Sequence, residues 1–198
     1  MDSGEGRAGR KKREARARII SAAAGLVIEK GARAVSMDEV AEKAGVARRT
    51  LFNYFEGKEE LLFAVTSPML EEAVALVDAR LAGAPSGLGS ITGLCLDLWK
   101  SWGRRLGLLY SFELTDSGRM AELHGIFLSR FQRLVADAIA AEPALASRPR
   151  LVGRIVYRSF VPLLTALDGA EEGDAGILAV RFEAGMRGLL EGIAKTGT

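Results

Sequence analysis

The sequence predicts an all-α protein of about nine helices, with a small N-terminal helix-turn-helix domain and a larger helical domain behind it. Three observations carry that prediction. Apolar residues recur at intervals of three and four through the long segments. The period-two alternation that marks half-buried strands is absent. The breaks between segments, GAPSGLG, TDSG, EPALASRP and DGAEEGDAG, are rich in turn-forming and helix-breaking residues. A length of 198 residues suits two domains, and 48% hydrophobic against 26% charged residues is ordinary for a soluble globular chain. No internal repeat at a fixed period is visible.

At the N-terminus, MDSGEGRAGRKKREARAR holds too few apolar residues to fold alone before its end. Residues 1–12 are expected to form a flexible basic arm whose Arg10, Lys11 and Lys12, with Arg13, could enter a minor groove; a solvating tail fits the same composition. From about Lys12 to Lys30 the pattern turns helical, with Ile19, Ala23, Leu26 and Val27 on one stripe and Gly31 ending the run.

The stretch from Ser36 to Lys58, SMDEVAEKAGVARRTLFNYFEGK, organises the chain. Ser36 and Glu39 have the spacing of a capping box, so a helix starts there. Met37, Val40, Ala41 and Ala44 then line one face, and Gly45 can take the left-handed backbone that turns the chain into a second helix near Ala47. At about 100° per residue, Ala47, Leu51 and Phe55 gather on one side of it, with Arg49, Phe52 and Asn53 opposite and Arg48 and Thr50 flanking. Arginine can fork onto guanine, asparagine can pair with adenine, and threonine or phenylalanine can touch the thymine methyl. A solvated helix with a positive bias fits these few residues equally well.

The stretch AEKAGVARRTLFNYFEGKEELL resembles the helix-turn-helix of the TetR family, the tetracycline-repressor-like bacterial regulators, and the likeness covers roughly residues 13 to 65. It rests on Gly31, the A-x-x-A-G-V turn from Ala41 to Val46, Thr50 and Leu51, the aromatic pair Tyr54 and Phe55, and Lys58 with Leu61. The resemblance implies that Arg48, Arg49, Thr50, Phe52 and Asn53 approach bases and that Tyr54 and Lys58 grip phosphates; Ser36 and Met37, at the start of the first helix, are counted in the expected DNA-binding set as well. Three positions depart from the family pattern. Ala47 replaces the usual serine, Phe52 the usual tyrosine, and Asp38 stands where some members place a base-reading arginine.

The charge distribution agrees with a nucleic-acid partner at this end. Through Lys58 there are 13 basic and 8 acidic residues; from Glu59 onward there are 14 and 17. The domain boundaries that follow are 1–12 for the arm, 13–60 for the helix-turn-helix and 61–198 for a ligand-binding and dimerisation domain.

Past Gly57, a modest N-cap, a fourth helix runs to the GAPSGLG break, and Pro68 is expected to kink or split it through a clash with the carbonyl of Ala64. The next segment contains Gly103 and Gly107 and reads as two helices meeting near there. The last two helices carry more apolar surface than one core requires. Val152, Ile155, Val156, Ser159, Leu163 and Ala166 form one stripe, while Ala184, Gly188 and Gly192 fall at i, i+4 and i+8. Small residues in a row let helices approach closely. A four-helix homodimer interface through Val152, Ile155, Ser159, Ala184, Gly188 and Gly192 is the expectation; an intramolecular core is the other reading.

No catalytic or metal site assembles from the sequence, and no cofactor is expected. His124 has Ala121, not an acid, three residues before it, and nothing orients Cys95 against it. The middle helices concentrate aromatics, and ligand pockets combine apolar walls with few polar anchors. A pocket for a small-molecule effector is expected among Trp99, Trp102, Arg105, Tyr110, His124, Phe127, Tyr157 and Phe160. No apolar run reaches the roughly 20 residues that span a bilayer, no secretory signal is visible, and a lone cysteine cannot form an internal disulfide, so the expected compartment is the cytoplasm. The function expected is that of a dimeric regulator binding a palindromic double-stranded DNA operator, a repressor released by its effector. A helical small-molecule binder or enzyme with a vestigial or protein-binding helix-turn-helix is the second reading.

Overall fold

The computed structural model describes residues 6–84, 87–103, 105, 108, 118–142, 149–168 and 171–195, and among them every long element is a helix. Eight helices follow in order: α1 Arg7–Lys30, α2 Met37–Ala44, α3 Arg48–Phe52, α4 Lys58–Ala82, α5 Gly89–Trp102, α6 Gly118–Ala140, α7 Pro149–Asp168 and α8 Glu172–Lys195. The break expected near Gly103 is present, since α5 stops at Trp102 and Gly103 takes a φ of 49°. A ninth helix after it would fall in a stretch that lies mostly outside the described residues.

Two compact units divide the chain: Met1–Met69 with Leu108–Glu122, and Leu70–Gly107 with Leu123–Thr198. In the first, α1 begins at Arg7 and not near Lys12, so Arg10, Lys11 and Lys12 stand on a helix where an arm was expected. Past Gly9 nothing in this stretch breaks a helix, and Arg10 pairs with Glu14 one turn on at 3.6 Å. Ile19, Ala22, Ala23, Leu26 and Val27 of α1 bury against α2 and its neighbours, where Val40, Ala41 and Ala44 answer them. Two ion pairs, Lys30 with Glu39 and Lys43 with Glu29, join α1 to α2 across this contact.

Helix α4 runs unbroken through Pro68, so the expected split does not occur. The missing hydrogen bond and ring clash cost roughly 3 kcal/mol, whereas burying each large apolar side chain contributes about 1.5–3 kcal/mol. Leu62, Val65, Met69 and Leu70 are all buried on either side of Pro68, whose own ring is exposed, so burial wins.

In the second unit α5 packs on α7 and α8, which also pack on each other. Leu94, Cys95 and Leu98 of α5 and Val152, Leu163 and Leu167 of α7 are almost fully buried there. Phe131 sits between Phe127 at 5.8 Å and Phe160 at 4.2 Å between ring centroids, tying α6 to α7. The start of α5 is capped from a distance. The Leu88 N–H donates to Glu142 Oε1 at 2.8 Å, and Gly87, with φ of 59°, leaves room for that carboxylate where a Cβ would collide with it.

Candidate nucleic-acid interface

The helix-turn-helix is built from local rules that hold in the structure. Ser36 Oγ accepts from the Glu39 N–H at 3.3 Å, and Glu39 Oε2 accepts from the Ser36 N–H at 2.9 Å, closing the capping box at the start of α2. At the other end Gly45 is left-handed, with φ of 64° and ψ of 39°, and the Val46 N–H returns to the Ala41 carbonyl at 3.0 Å. The chain then enters α3 through Ala47, whose carbonyl accepts from Leu51 N–H at 3.1 Å. Ala47 offers no side-chain cap and is exposed, so it does not share the buried side with Leu51 and Phe55 as the periodicity predicts; it lies at the helix's N-cap, outside the helical geometry.

Leu51 and Phe55, 0% and 1% exposed, fix the inner side of this element. Arg16 covers the Phe55 ring at 5.3 Å from its centroid. The regular helix is short, Arg48–Phe52, with Asn53 as its C-cap, but hydrogen bonds from Asn53, Tyr54 and Phe55 back to Arg49 and Leu51 carry the turn on to the plug. The outer side presents Arg48, Arg49, Phe52 and Asn53 exposed, with Thr50 and Tyr54 half-exposed. Phe52 is 41% exposed, a large apolar ring standing in water between two arginines and an asparagine.

The charged partners differ in their freedom. Arg48 Nη1 pairs with Asp38 Oδ2 of α2 at 3.1 Å, and its guanidinium lies 5.7 Å from the Phe52 ring centroid. Lys58, at the start of α4, donates from Nζ to the Arg33 carbonyl at 2.8 Å. Ser36 and Met37 stand beside this surface, the serine exposed but committed to its cap and the methionine half-buried. The sequence pattern marks Asp38 only as the absence of a base-reading arginine and gives no sign of its pairing with Arg48. Nearly two turns of α2 and the Gly45 reversal bring the two together, which spacing alone does not encode.

Of the residues expected to line a ligand pocket, the described ones are brought together only at Phe127 and Phe160, 6.3 Å apart between ring centroids. Trp102 is buried with Nε1 donating to Glu72 Oε2 at 2.5 Å, Trp99 is half-buried, and Arg105 is exposed, donating to the Ser101 carbonyl at 3.3 Å. His124 is half-exposed, while Phe127 and Phe160 belong to the ring cluster described above. Tyr110 and the side chain of Tyr157 lie outside the described residues. A cavity of about 10 Å³ does open in the second unit, sharing only Phe160 with that set. Its walls include Ile91, Val156, Phe182 and Met186, and its polar edge is Thr92 donating to Glu183 at 2.9 Å. Glu142 and, to a lesser degree, Glu183 share Arg187, and their carboxylates raise that guanidinium's pKa further. Burial pushes the Cys95 thiol up, the opposite of what a nucleophile requires.

The expected dimer set divides in the same way. Val152 is 0% exposed and so belongs to the core, on the part of α7 that is buried within the chain itself. Ile155 and Ser159 are half-exposed, and Ser159 Oγ bonds the Ile155 carbonyl at 2.9 Å. Ala184, Gly188 and Gly192 are on α8, the last two with open space around them, beside Val180 at 68% exposure and Ile177 and Leu189 at 53%. No helix among the described residues is long and apolar enough to cross a membrane.

The description "Bacterial regulatory proteins, tetR family" matches residues 19–65, the segment from mid-α1 into α4. A curated relative, the HTH-type transcriptional activator FasR of Mycolicibacterium smegmatis, is 34% identical over 68 residues, 34% of this chain. The match spans 31% of that protein's length. Among solved structures, the ketosteroid transcriptional regulator of Mycobacterium tuberculosis superposes with a TM-score of 0.66 at 15% identity, over 89% of this chain and 93% of that one. NalD of Pseudomonas aeruginosa, the secondary repressor of an efflux pump, gives 0.62 at 24% identity over 88% and 96%. FadR of Bacillus subtilis, solved with stearoyl-CoA, gives 0.56 at 16% identity over 88% and 96%. At these identities the structural likeness shows a shared fold.

Proposed function

We propose, from the premise that residues 19–65 are a DNA-binding domain of the TetR family, that this chain is a sequence-specific DNA-binding transcriptional regulator. The observation that carries the reading is the outer side of α3. It sets Arg48, Arg49, Phe52 and Asn53 in water on a helix whose inner side is locked by Leu51 and Phe55. Burying the one side fixes the direction of the other, and those four side chains carry the donors, acceptors and apolar edge that read a major groove. The protein acts in the cytoplasm as a homodimer through the exposed α8 face, on a palindromic operator whose half-sites lie a helical turn or a multiple apart.

A small-molecule effector binds the second unit, with its apolar part beside Phe160, Phe182 and Met186, and favours a dimer whose reading helices no longer match the half-sites. Occlusion and release make the protein a repressor. The relatives support the effector and leave both signs of regulation in view: FadR was solved with an acyl-CoA, NalD is a repressor, and FasR is an activator. Enrichment of duplexes from a random pool, followed by a gel shift on DNA upstream of the protein's own gene, tests the reading. One palindromic sequence should emerge; a pool that stays random would refute it.

A further inference from the structure

We infer that Asp38 determines specificity by holding Arg48 in position to read a base, an inference that rests on the DNA-reading proposal above. Asp38 is the second residue of α2 and Arg48 the first of α3, and the Gly45 turn brings them to 3.1 Å between Oδ2 and Nη1. Both side chains are well exposed, at 63% and 67%. An ion pair in that much water contributes little to stability, and the benefit of an acid in the first turn of α2, which Glu39 also supplies, needs no contact with Arg48, so folding does not explain the pairing. Its location carries a cost, because a negative charge on the face that meets a polyanion weakens every DNA complex.

What the carboxylate supplies is orientation. Phe52 stands against the guanidinium, 5.7 Å from ring centroid to Cζ, and Asp38 takes the Nη1 corner of the planar fork. Among the described residues Nε and Nη2 of Arg48 have no partner, and two parallel N–H donors are what the N7 and O6 acceptors of guanine require. A flexible arginine would spend much of its time on the nearer phosphates. Asp38 opposes that mode by repelling phosphate from its own neighbourhood, while a base edge meets no such repulsion. The residue thus costs some affinity everywhere and more on wrong sequences, and a difference of that kind is specificity. Arg49, exposed and without a recorded partner among the described residues, has no such restraint.

The test uses the full-length protein and the duplex that the wild type enriches from a random pool. Asp38→Asn, Asp38→Ala, Arg48→Ala and the Asp38→Ala/Arg48→Ala double variant are titrated on that duplex and on a scrambled one, with thermal melting followed alongside. Removing Asp38 should lower the ratio of specific to scrambled affinity about tenfold, with scrambled binding unchanged or tighter. The loss should concentrate on the base pair that Arg48→Ala also relaxes. In the Arg48→Ala background Asp38→Ala should have no further effect on the ratio. Equal losses on both duplexes, a ratio that does not move, a lowered melting temperature with the ratio intact, or additive losses in the double variant would each overturn the inference. A wild type that enriches no sequence would overturn the DNA-reading proposal and this inference with it, whereas an enriched site read equally well without Asp38 overturns the inference alone.

Discussion

Ser36 and Glu39 hold each other at the start of α2: the serine hydroxyl and N–H both donate to Glu39 Oε2, at 2.7 and 2.9 Å, while Lys30 of α1 donates to the other carboxylate oxygen. The pair therefore begins α2 and pins it to α1 at once. The Lys30 hydrogen bond, followed by those from Ser36, lowers the Glu39 pKa from 4.5 to about 2.

A carboxylate with a depressed folded-state pKa contributes stability above its unfolded value and loses it as the pH falls through the folded one. The melting temperature of the wild type should thus exceed that of Glu39→Gln at neutral pH, and the difference should shrink from pH 4.5 down to about 2. Ser36→Ala should cost about 1 kcal/mol in urea unfolding at pH 7, the typical worth of an N-cap side chain. A difference between wild type and Glu39→Gln that persists unchanged at low pH would refute this account.

The α8 face offers a prediction in which two effects have opposite signs. A Cβ at Gly185, Gly188 or Gly192 would meet no atom within 4 Å, so nothing inside the chain requires glycine there. Were that face simply solvated, Gly188→Ala would stabilise the helix by about 0.5–1 kcal/mol. In a dimer seam the same change separates two backbones, and Gly188→Leu should overpack it at a cost of about 1–3 kcal/mol. Light scattering should find Gly188→Leu monomeric at concentrations where the wild type is a dimer, with weaker operator binding. A dimeric mass together with a raised melting temperature would place the interface elsewhere.

Both tryptophans lie on α5, which walls the small cavity together with α7 and α8, and Trp102 is tied to Glu72 of α4. An effector that opens that cavity should change tryptophan fluorescence and weaken operator binding together, with a coupling of about 1–3 kcal/mol between the sites. Compounds that alter fluorescence in titration and never alter operator affinity would mark a binder without regulation.

The parts of this molecule that the sequence displays are those governed by neighbours in the chain. The capping box, the Gly45 reversal and the inward Leu51 and Phe55 follow from spacing and backbone preference, and each is in place. The parts it conceals join distant residues. Glu142 caps α5 from 54 residues away, and Asp38 meets Arg48 across a turn. Apolar periodicity shows that a helix face is buried without showing against what, so Val152 has the spacing of a seam residue and lies in the core. Aromatic content likewise marks a core as readily as a pocket, which is how Phe127 and Phe160 come to pack against Phe131, the first stacked and the second tilted.

The last prediction separates reading from gripping on the nucleic-acid face. Arg49 and Asn53 are exposed on the outer side of α3, so alanine at either should cost about 1–3 kcal/mol on the operator and little on random DNA. Lys58 behaves differently because its ammonium already donates one hydrogen bond, to the Arg33 carbonyl at 2.8 Å. An ammonium has three donors, so two remain for a phosphate, and the Arg33 carbonyl fixes where they point. Lys58→Ala should weaken all duplexes alike and reduce the salt slope by about 0.9 for each phosphate it no longer neutralises. In a dimer on a palindrome each change occurs twice, so losses on the full operator should be about double those on a single half-site. Titrating the three variants on operator, half-site and scrambled duplexes at two salt concentrations measures all of this. If Lys58→Ala discriminated between sequences as strongly as Arg49→Ala, or if neither Arg49 nor Asn53 changed the specificity ratio, α3 would not be the reading helix.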